Sequence, residues 1–201
     1  MAALDRAYPD ARTALRYRSP FELLVATILS AQCTDERVNR VTPTLFERYP
    51  TPAALAAADT RDLERIIVST GFYRQKSKAI VGCARALAER HGGEVPHTIQ
   101  QLVELPGVAR KTANVVMSNC WPRPESEHGI FVDTHVRRLA DRLALSTHEQ
   151  PDEIERDLMK LVPPQKWADF PHQLVLLGRT QCTARAPHHA ACPLLPWCPA
   201  G

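Results

Sequence analysis

The segment at 21–31, FELLVATILSA, is apolar around almost its whole helical circumference, and such a helix needs other elements covering it on every side. Ser19-Pro20-Phe21-Glu22 opens it with a capping box and a proline in the first turn, where a missing N–H costs nothing. The rest of the chain supplies the cover. Helical spacing of apolar residues recurs throughout, and no stretch alternates as a strand would, so the expected fold is all-α. Thr34, Thr51-Pro52, Thr60 and Thr98 are start signals, Gly71 is a stop, and Pro43 is expected to kink or end the helix begun at Thr34. Long helices are expected over 73–90 and 110–120. Asp133 opens another to about Leu145, followed by helices over 152–162 and 166–180, the last interrupted by Pro171. The proline-rich tail after Pro187 must be irregular.

With 201 residues, 44% of them hydrophobic, the chain can fill one large domain or two small ones. No apolar run approaches the ~20 residues of a membrane span, and the N-terminus from Met1 to Arg6 lacks the apolar stretch of a secretion signal. A soluble, cytoplasmic protein is expected. The net charge of +3 is small, but the segment from Arg61 to His91 holds seven Lys/Arg against three Asp/Glu. A basic face on a nearly neutral body suits a phosphate backbone; a solvated helix face would look the same.

The string from Glu104 to Ala113 joins two helices in very few residues. Pro106 stops the first, and Gly107 supplies a turn that residues with a β-carbon resist. The next helix starts at once, so the N–H groups from Gly107, Val108 and Ala109 onward leave the turn together. Such groups bind a phosphate without a cationic side chain. An ordinary helix–helix corner shares that tripeptide. The six cysteines divide into two sets. Cys33, Cys83 and Cys120 sit singly in apolar, helix-like stretches and read as small buried thiols. Cys182, Cys192 and Cys198 crowd into the tail, which without an export signal favours a metal over disulfides.

The longer string LPGVARKTAN at 105–114, with Val132-Asp133-Thr134-His135-Val136 downstream, resembles the endonuclease III family of helix-hairpin-helix DNA glycosylases. So do SPFELLVATILSAQCTD at 19–35, GFY at 71–73, GEVP at 93–96 and LGR at 177–179, in order and over nearly the whole chain. The resemblance implies two helical lobes flanking a DNA-binding cleft. A six-helix barrel carrying the hairpin would span 18–123, and a metal-cluster lobe would combine 1–17 with 124–201. It also implies a monomeric base-excision enzyme acting on double-stranded DNA, both glycosylase and AP lyase, with oxidised pyrimidines as substrates.

On that reading Lys111 is the nucleophile, because an amine forms an imine with the opened sugar where water or a carboxylate does not. Apolar burial and a positive helix end are both expected to favour its neutral form. Asp133, a helix N-cap, would steady positive charge on the sugar. Gln32 and Phe72 fall where the family fills the hole left by an everted base, and His135 and Arg185 are further candidate DNA contacts. Ala109 replaces the second glycine usual in the hairpin, and its methyl is expected to push the phosphate back or strain the turn. The loop between Trp121 and Gly129 is longer than usual, which is expected to alter lesion preference. The tail pattern Cys182-x6-His189-x2-Cys192-x5-Cys198 matches a [4Fe–4S] motif with His189 in place of the second cysteine. His188 could substitute for it, and a Cys₃His zinc site is the alternative. Rival readings are a monofunctional mismatch glycosylase, which would generally lack the lysine, and a non-catalytic helix-hairpin-helix DNA-binding protein.

Overall fold

The computed structural model describes residues 1–121 and 128–200, and among these all regular structure is helical. The chain divides into two compact units, one formed by Met1–Thr13 with Pro122–Gly201 and the other by Ala14–Trp121. The first unit opens with α1 (Ala2–Ala7). The second contains α2 (Pro20–Leu29), α3 (Asp35–Arg48), α4 (Pro52–Ala56), α5 (Thr60–Ile67), α6 (Tyr73–Arg90), α7 (Ile99–Val103) and α8 (Arg110–Cys120).

Helix α2 is the centre of its unit. Leu23, Leu24, Val25, Ala26 and Leu29 have no exposed surface, and Phe21 and Ile28 are nearly as buried. Burying each large aliphatic side chain of this kind contributes about 1.5–3 kcal/mol, enough to fix which helix the others pack around. Side-chain caps set the boundaries. The Oγ of Ser19 accepts from Glu22 N at 3.2 Å, and the hydroxyls of Thr34, Thr51 and Thr98 accept from Arg37, Ala54 and Gln101 at 3.3, 3.2 and 3.4 Å. Glu22 completes the box one residue early, its Oε2 accepting from Arg18 N at 2.7 Å. For α5 the cap is Asp59 rather than Thr60, which is the first helical residue.

Pro43 neither ends nor divides α3. Leu45 and Phe46 beyond it are buried in the core, and that packing outweighs one missing helical hydrogen bond. Along α6 the buried positions Lys76, Ile80, Cys83, Ala84 and Leu87 keep helical spacing, with a lysine among them. Six of the seven cations between Arg61 and His91 are exposed; Lys76 alone is turned inward. Cys83 is fully buried, which pushes its thiol up to about 12. Cys33 and Cys120 are only partly buried, and Cys33 lies in the link after α2 rather than inside a helix.

The other unit packs α1, α9 (Thr134–Arg142), α10 (Pro151–Leu161) and α11 (Asp169–Thr180) around Val136, Leu139, Leu158, Phe170 and Leu174. Asp5 fastens α1: its Oδ1 accepts from Gln173 Nε2 at 3.0 Å and Lys166 Nζ at 3.1 Å, which holds its carboxyl below the ordinary value. Pro171 falls in the first turn of α11, where no N–H is needed, so the helix is not interrupted. Helix α9 stops at Arg142 rather than near Leu145, and Ala144 follows at φ 52°. The tail has only short 3₁₀ turns, at His189–Ala191 and Leu195–Trp197. Most of the expected loop between Trp121 and Gly129 lies outside the described residues. No helix among the described residues is long and apolar enough to cross a membrane.

Candidate functional site

The hairpin turn is built on Gly107 for two separate reasons. Its φ is +78°, and a Cβ there would come 2.7 Å from the Cβ of Ala79 on α6. Val108 N donates to Leu105 O at 3.1 Å, which closes a four-residue turn with proline and then glycine at its centre, as a type II turn requires. Val108 is buried and anchors the turn to the core. Ala109 is the N-cap of α8 at φ −87°, ψ 167°, extended backbone open to any residue, so the expected strain is absent. Its methyl makes no cap. The N-termini of α2, α3, α4, α5, α7 and α9 each receive a side-chain hydrogen bond, whereas those of α1, α6, α8, α10 and α11 have no side-chain cap among the described residues. Ala109 therefore leaves the first turn of α8 without a cap of its own, and the positive end of the helix lies behind that turn.

Lys111 is the second residue of that helix, and it is exposed rather than buried. The apolar surroundings expected for it are not supplied by its own unit. In the other unit Asp133 caps α9, its Oδ1 accepting from both His135 N and Val136 N at 2.8 Å. Oδ2 takes no hydrogen bond among the described residues. His135 is held within its unit. Arg138 Nη2 donates to its Nδ1 at 3.1 Å, and the ring packs on Gly178, where a Cβ would come 2.9 Å from Nδ1. Burial lowers the pKa of this imidazole.

Gln32 and Phe72 share an unusual backbone. Both are non-glycine residues in the left-handed region, at φ 52° and 47°, and both are exposed, Phe72 to 59%. Such conformations cost roughly 1–3 kcal/mol and persist only where the surroundings enforce them, commonly at functional positions.

In the tail, Cys182, Cys192, Cys198, His188 and His189 line one cavity of about 210 Å³ together with Arg142. No three His, Cys, Asp or Glu side chains among the described residues are gathered closely enough to hold a single metal ion. Helix α9 fastens the first stretch of this loop with two arginines that sequence reasoning missed. Arg142 donates through Nη1 to Cys182 Sγ at 3.1 Å and Thr183 O at 2.8 Å, and through Nη2 to Ala184 O at 3.0 Å. Arg138 donates to Gly178 O at 2.9 Å and to Cys182 O at 3.1 Å. Their placement at three and seven residues after His135, on one helical stripe, was the available signal. Arg185 is exposed.

A model of the HhH-GPD superfamily of base excision DNA repair proteins matches residues 25–164. The endonuclease III of Synechocystis sp. is 50% identical over 98% of this chain and 88% of its own length, and that of Bacillus subtilis 45% identical over 96% and 87%. The chain belongs to the endonuclease III family. A solved non-covalent endonuclease III–DNA complex superposes with a TM-score of 0.92 at 42% identity, over 99% of this chain and 92% of that one. A thermostable thymine-DNA glycosylase shares the fold, with a TM-score of 0.87 at 21% identity over 99% and 93%. As a member of the endonuclease III family, the protein is a base excision repair DNA glycosylase and lyase. The hairpin, Lys111, Gln32 and Phe72 come from one unit; Asp133, His135, Arg185 and the tail cavity come from the other.

Proposed function

We propose that the protein excises oxidised pyrimidines from double-stranded DNA and then cleaves the resulting site by β-elimination, acting as a cytoplasmic monomer and, in a bacterium, on the nucleoid. The observation that carries this reading is the exposed amine of Lys111 on the second residue of a helix whose N-terminus has no side-chain cap. The N-terminal turn of α8 would take a phosphate beside the lesion, and that contact would bring the everted sugar to Lys111. The neutral amine attacks C1′ as the C1′–N bond breaks, and the base departs with the electron pair and is protonated. Loss of the amine proton and opening of the sugar ring give an imine. Removal of a C2′ proton then expels the 3′ phosphate. On this reading Asp133, whose Oδ2 takes no hydrogen bond among the described residues, would steady the positive charge that builds on the sugar and take the proton that Lys111 must lose. Gln32 and Phe72 would fill the vacated position, one with an amide that can pair with the orphaned base and the other with a ring that can enter the stack. Arg185 is free to meet a phosphate, whereas His135, engaged by Arg138, would act through packing.

Cys182, Cys192, Cys198 and His189 would hold a [4Fe–4S] cluster, whose contribution there is to cross-link the tail. The fit rests on size and donor chemistry. A zinc ion draws its ligands to about 2.0–2.3 Å, whereas no three of these side chains are gathered closely enough for a single ion and all four line one cavity of about 210 Å³. Brown protein with broad visible absorption and stoichiometric iron is expected; colourless protein with stoichiometric zinc would overturn this assignment.

Borohydride trapping tests the activity. A covalent adduct with DNA containing an oxidised pyrimidine, absent in Lys111→Gln, is expected. Base release without trapping would indicate a monofunctional enzyme, and neither signal would indicate a binding protein.

A further inference from the structure

Lys76 is the inward-facing exception to the basic stretch, with 5% of its surface exposed. A buried ammonium is costly, and burial lowers its pKa. Its two bonds nevertheless go to main-chain carbonyls. Nζ donates to Leu29 O at 2.8 Å and to Thr70 O at 2.7 Å. Both carbonyls end an element: Leu29 is the last residue of α2, and Thr70 the last of the 3₁₀ turn Val68–Thr70. A cation at the end of α2 also meets the negative pole of that helix.

The position of these carbonyls in the chain is what gives the contact meaning. Leu29 lies three residues before Gln32, and Thr70 two residues before Phe72. Those are the two exposed residues of this unit with left-handed, non-glycine backbones. One nitrogen thus joins the two segments of chain that lead into them. Bonds to main-chain oxygens fix the path of the backbone rather than the choice of a rotamer.

We propose that Lys76 is a positioning residue, a clamp that holds the Gln32 and Phe72 loops against one another so that both side chains enter DNA as a single preformed unit. The clamp rests on the reading of Gln32 and Phe72 given above. It makes the cost of presenting them part of folding rather than of binding, so that the preference for lesion over intact duplex depends on a residue that never touches DNA.

The test uses the full chain and measures affinity for a duplex with a tetrahydrofuran abasic-site analogue, relative to the same duplex intact. A 2-aminopurine opposite the analogue reports insertion. Lys76→Met is expected to lose about tenfold of the lesion preference and most of the 2-aminopurine signal. In a Gln32→Ala/Phe72→Ala background the same substitution should change the preference by less than about twofold. A merely structural role would lower the melting temperature and scale both affinities together, leaving their ratio unchanged. Should Lys76→Met fail to fold, Lys76→Gln, which retains a donor able to reach one carbonyl, carries the same comparison. Folded protein with its lesion preference within about twofold of wild type overturns the clamp. So does an effect that persists undiminished in the Gln32→Ala/Phe72→Ala background. If that background itself keeps the full preference, the reading of the two loops fails, and the clamp fails with it; if it loses the preference while Lys76→Met does not, only the clamp fails.

Discussion

Replacing Gly107 with alanine should damage the hairpin through two separable effects. At φ +78° an L-residue sits in the left-handed region, costing about 1–2 kcal/mol. The added methyl would also lie 2.7 Å from Ala79 Cβ, and forcing an extra carbon into packed structure costs typically 1–3 kcal/mol. Alanine regains roughly 0.5 kcal/mol by restricting the unfolded chain. The net expectation is a loss of about 2–4 kcal/mol. Ala79→Gly removes the clashing partner and leaves the dihedral penalty intact. Alone it should cost about 1 kcal/mol as a glycine inside a helix, yet in the Gly107→Ala background relief of the clash gives a coupling of about 1–3 kcal/mol and a net recovery of up to about 2 kcal/mol. Urea unfolding followed by hydrogen exchange of the α8 amides, which report on the Ala14–Trp121 unit, gives all four corners of this cycle. A single-variant loss under about 0.5 kcal/mol, or two losses that simply add, would refute the reasoning.

Two further outcomes follow from local geometry. Asp157 Oδ2 accepts from His148 Nδ1 and Ser146 Oγ, each at 2.8 Å, and Lys160 Nζ lies 3.3 Å from Oδ1; these bonds, His148 first, hold its carboxyl down to about 2. Because the folded value lies below the ordinary 3.8, this contribution is complete above that pH and lost as pH falls through about 2. The melting-temperature gap between wild type and Asp157→Asn should therefore close between about pH 4 and pH 2; a constant gap would contradict it. Ala109→Gly should change stability by less than about 0.5 kcal/mol, since the extended backbone at Ala109 has no strain for glycine to relieve and glycine's better fit at an N-cap offsets its extra freedom in the unfolded chain. A gain above about 1 kcal/mol in urea unfolding would show strain after all, while fluorescence anisotropy on duplex DNA reads whether the methyl itself weakens binding.

The helix starts were readable in the sequence because capping is local: Ser19, Thr34, Thr51 and Thr98 bond amides within three residues. Pro43 and Pro171 misled for opposite reasons. Burial of Leu45 and Phe46 carries α3 past Pro43, and Pro171 needs no N–H because Asp169 starts its helix two residues earlier. Gly107 was expected as a turn, but its contact with Ala79 is a tertiary fact that no spacing reveals. Lys76 escaped notice because a lysine in a basic stretch reads as solvated. Its register with Ile80, Cys83, Ala84 and Leu87 was nonetheless visible and places it on the buried face of α6. The tail pattern gave the candidate ligands. The arginines that fasten their loop lie some forty residues upstream, too far for a local motif to show.

The most direct measurement is the address of the covalent bond. After borohydride reduction of the enzyme–DNA adduct, nuclease and protease digestion with mass spectrometry should find the sugar remnant on Lys111 alone. Attachment to Lys78, to the N-terminal amine or to any other amine would contradict the assignment of Lys111 as the nucleophile.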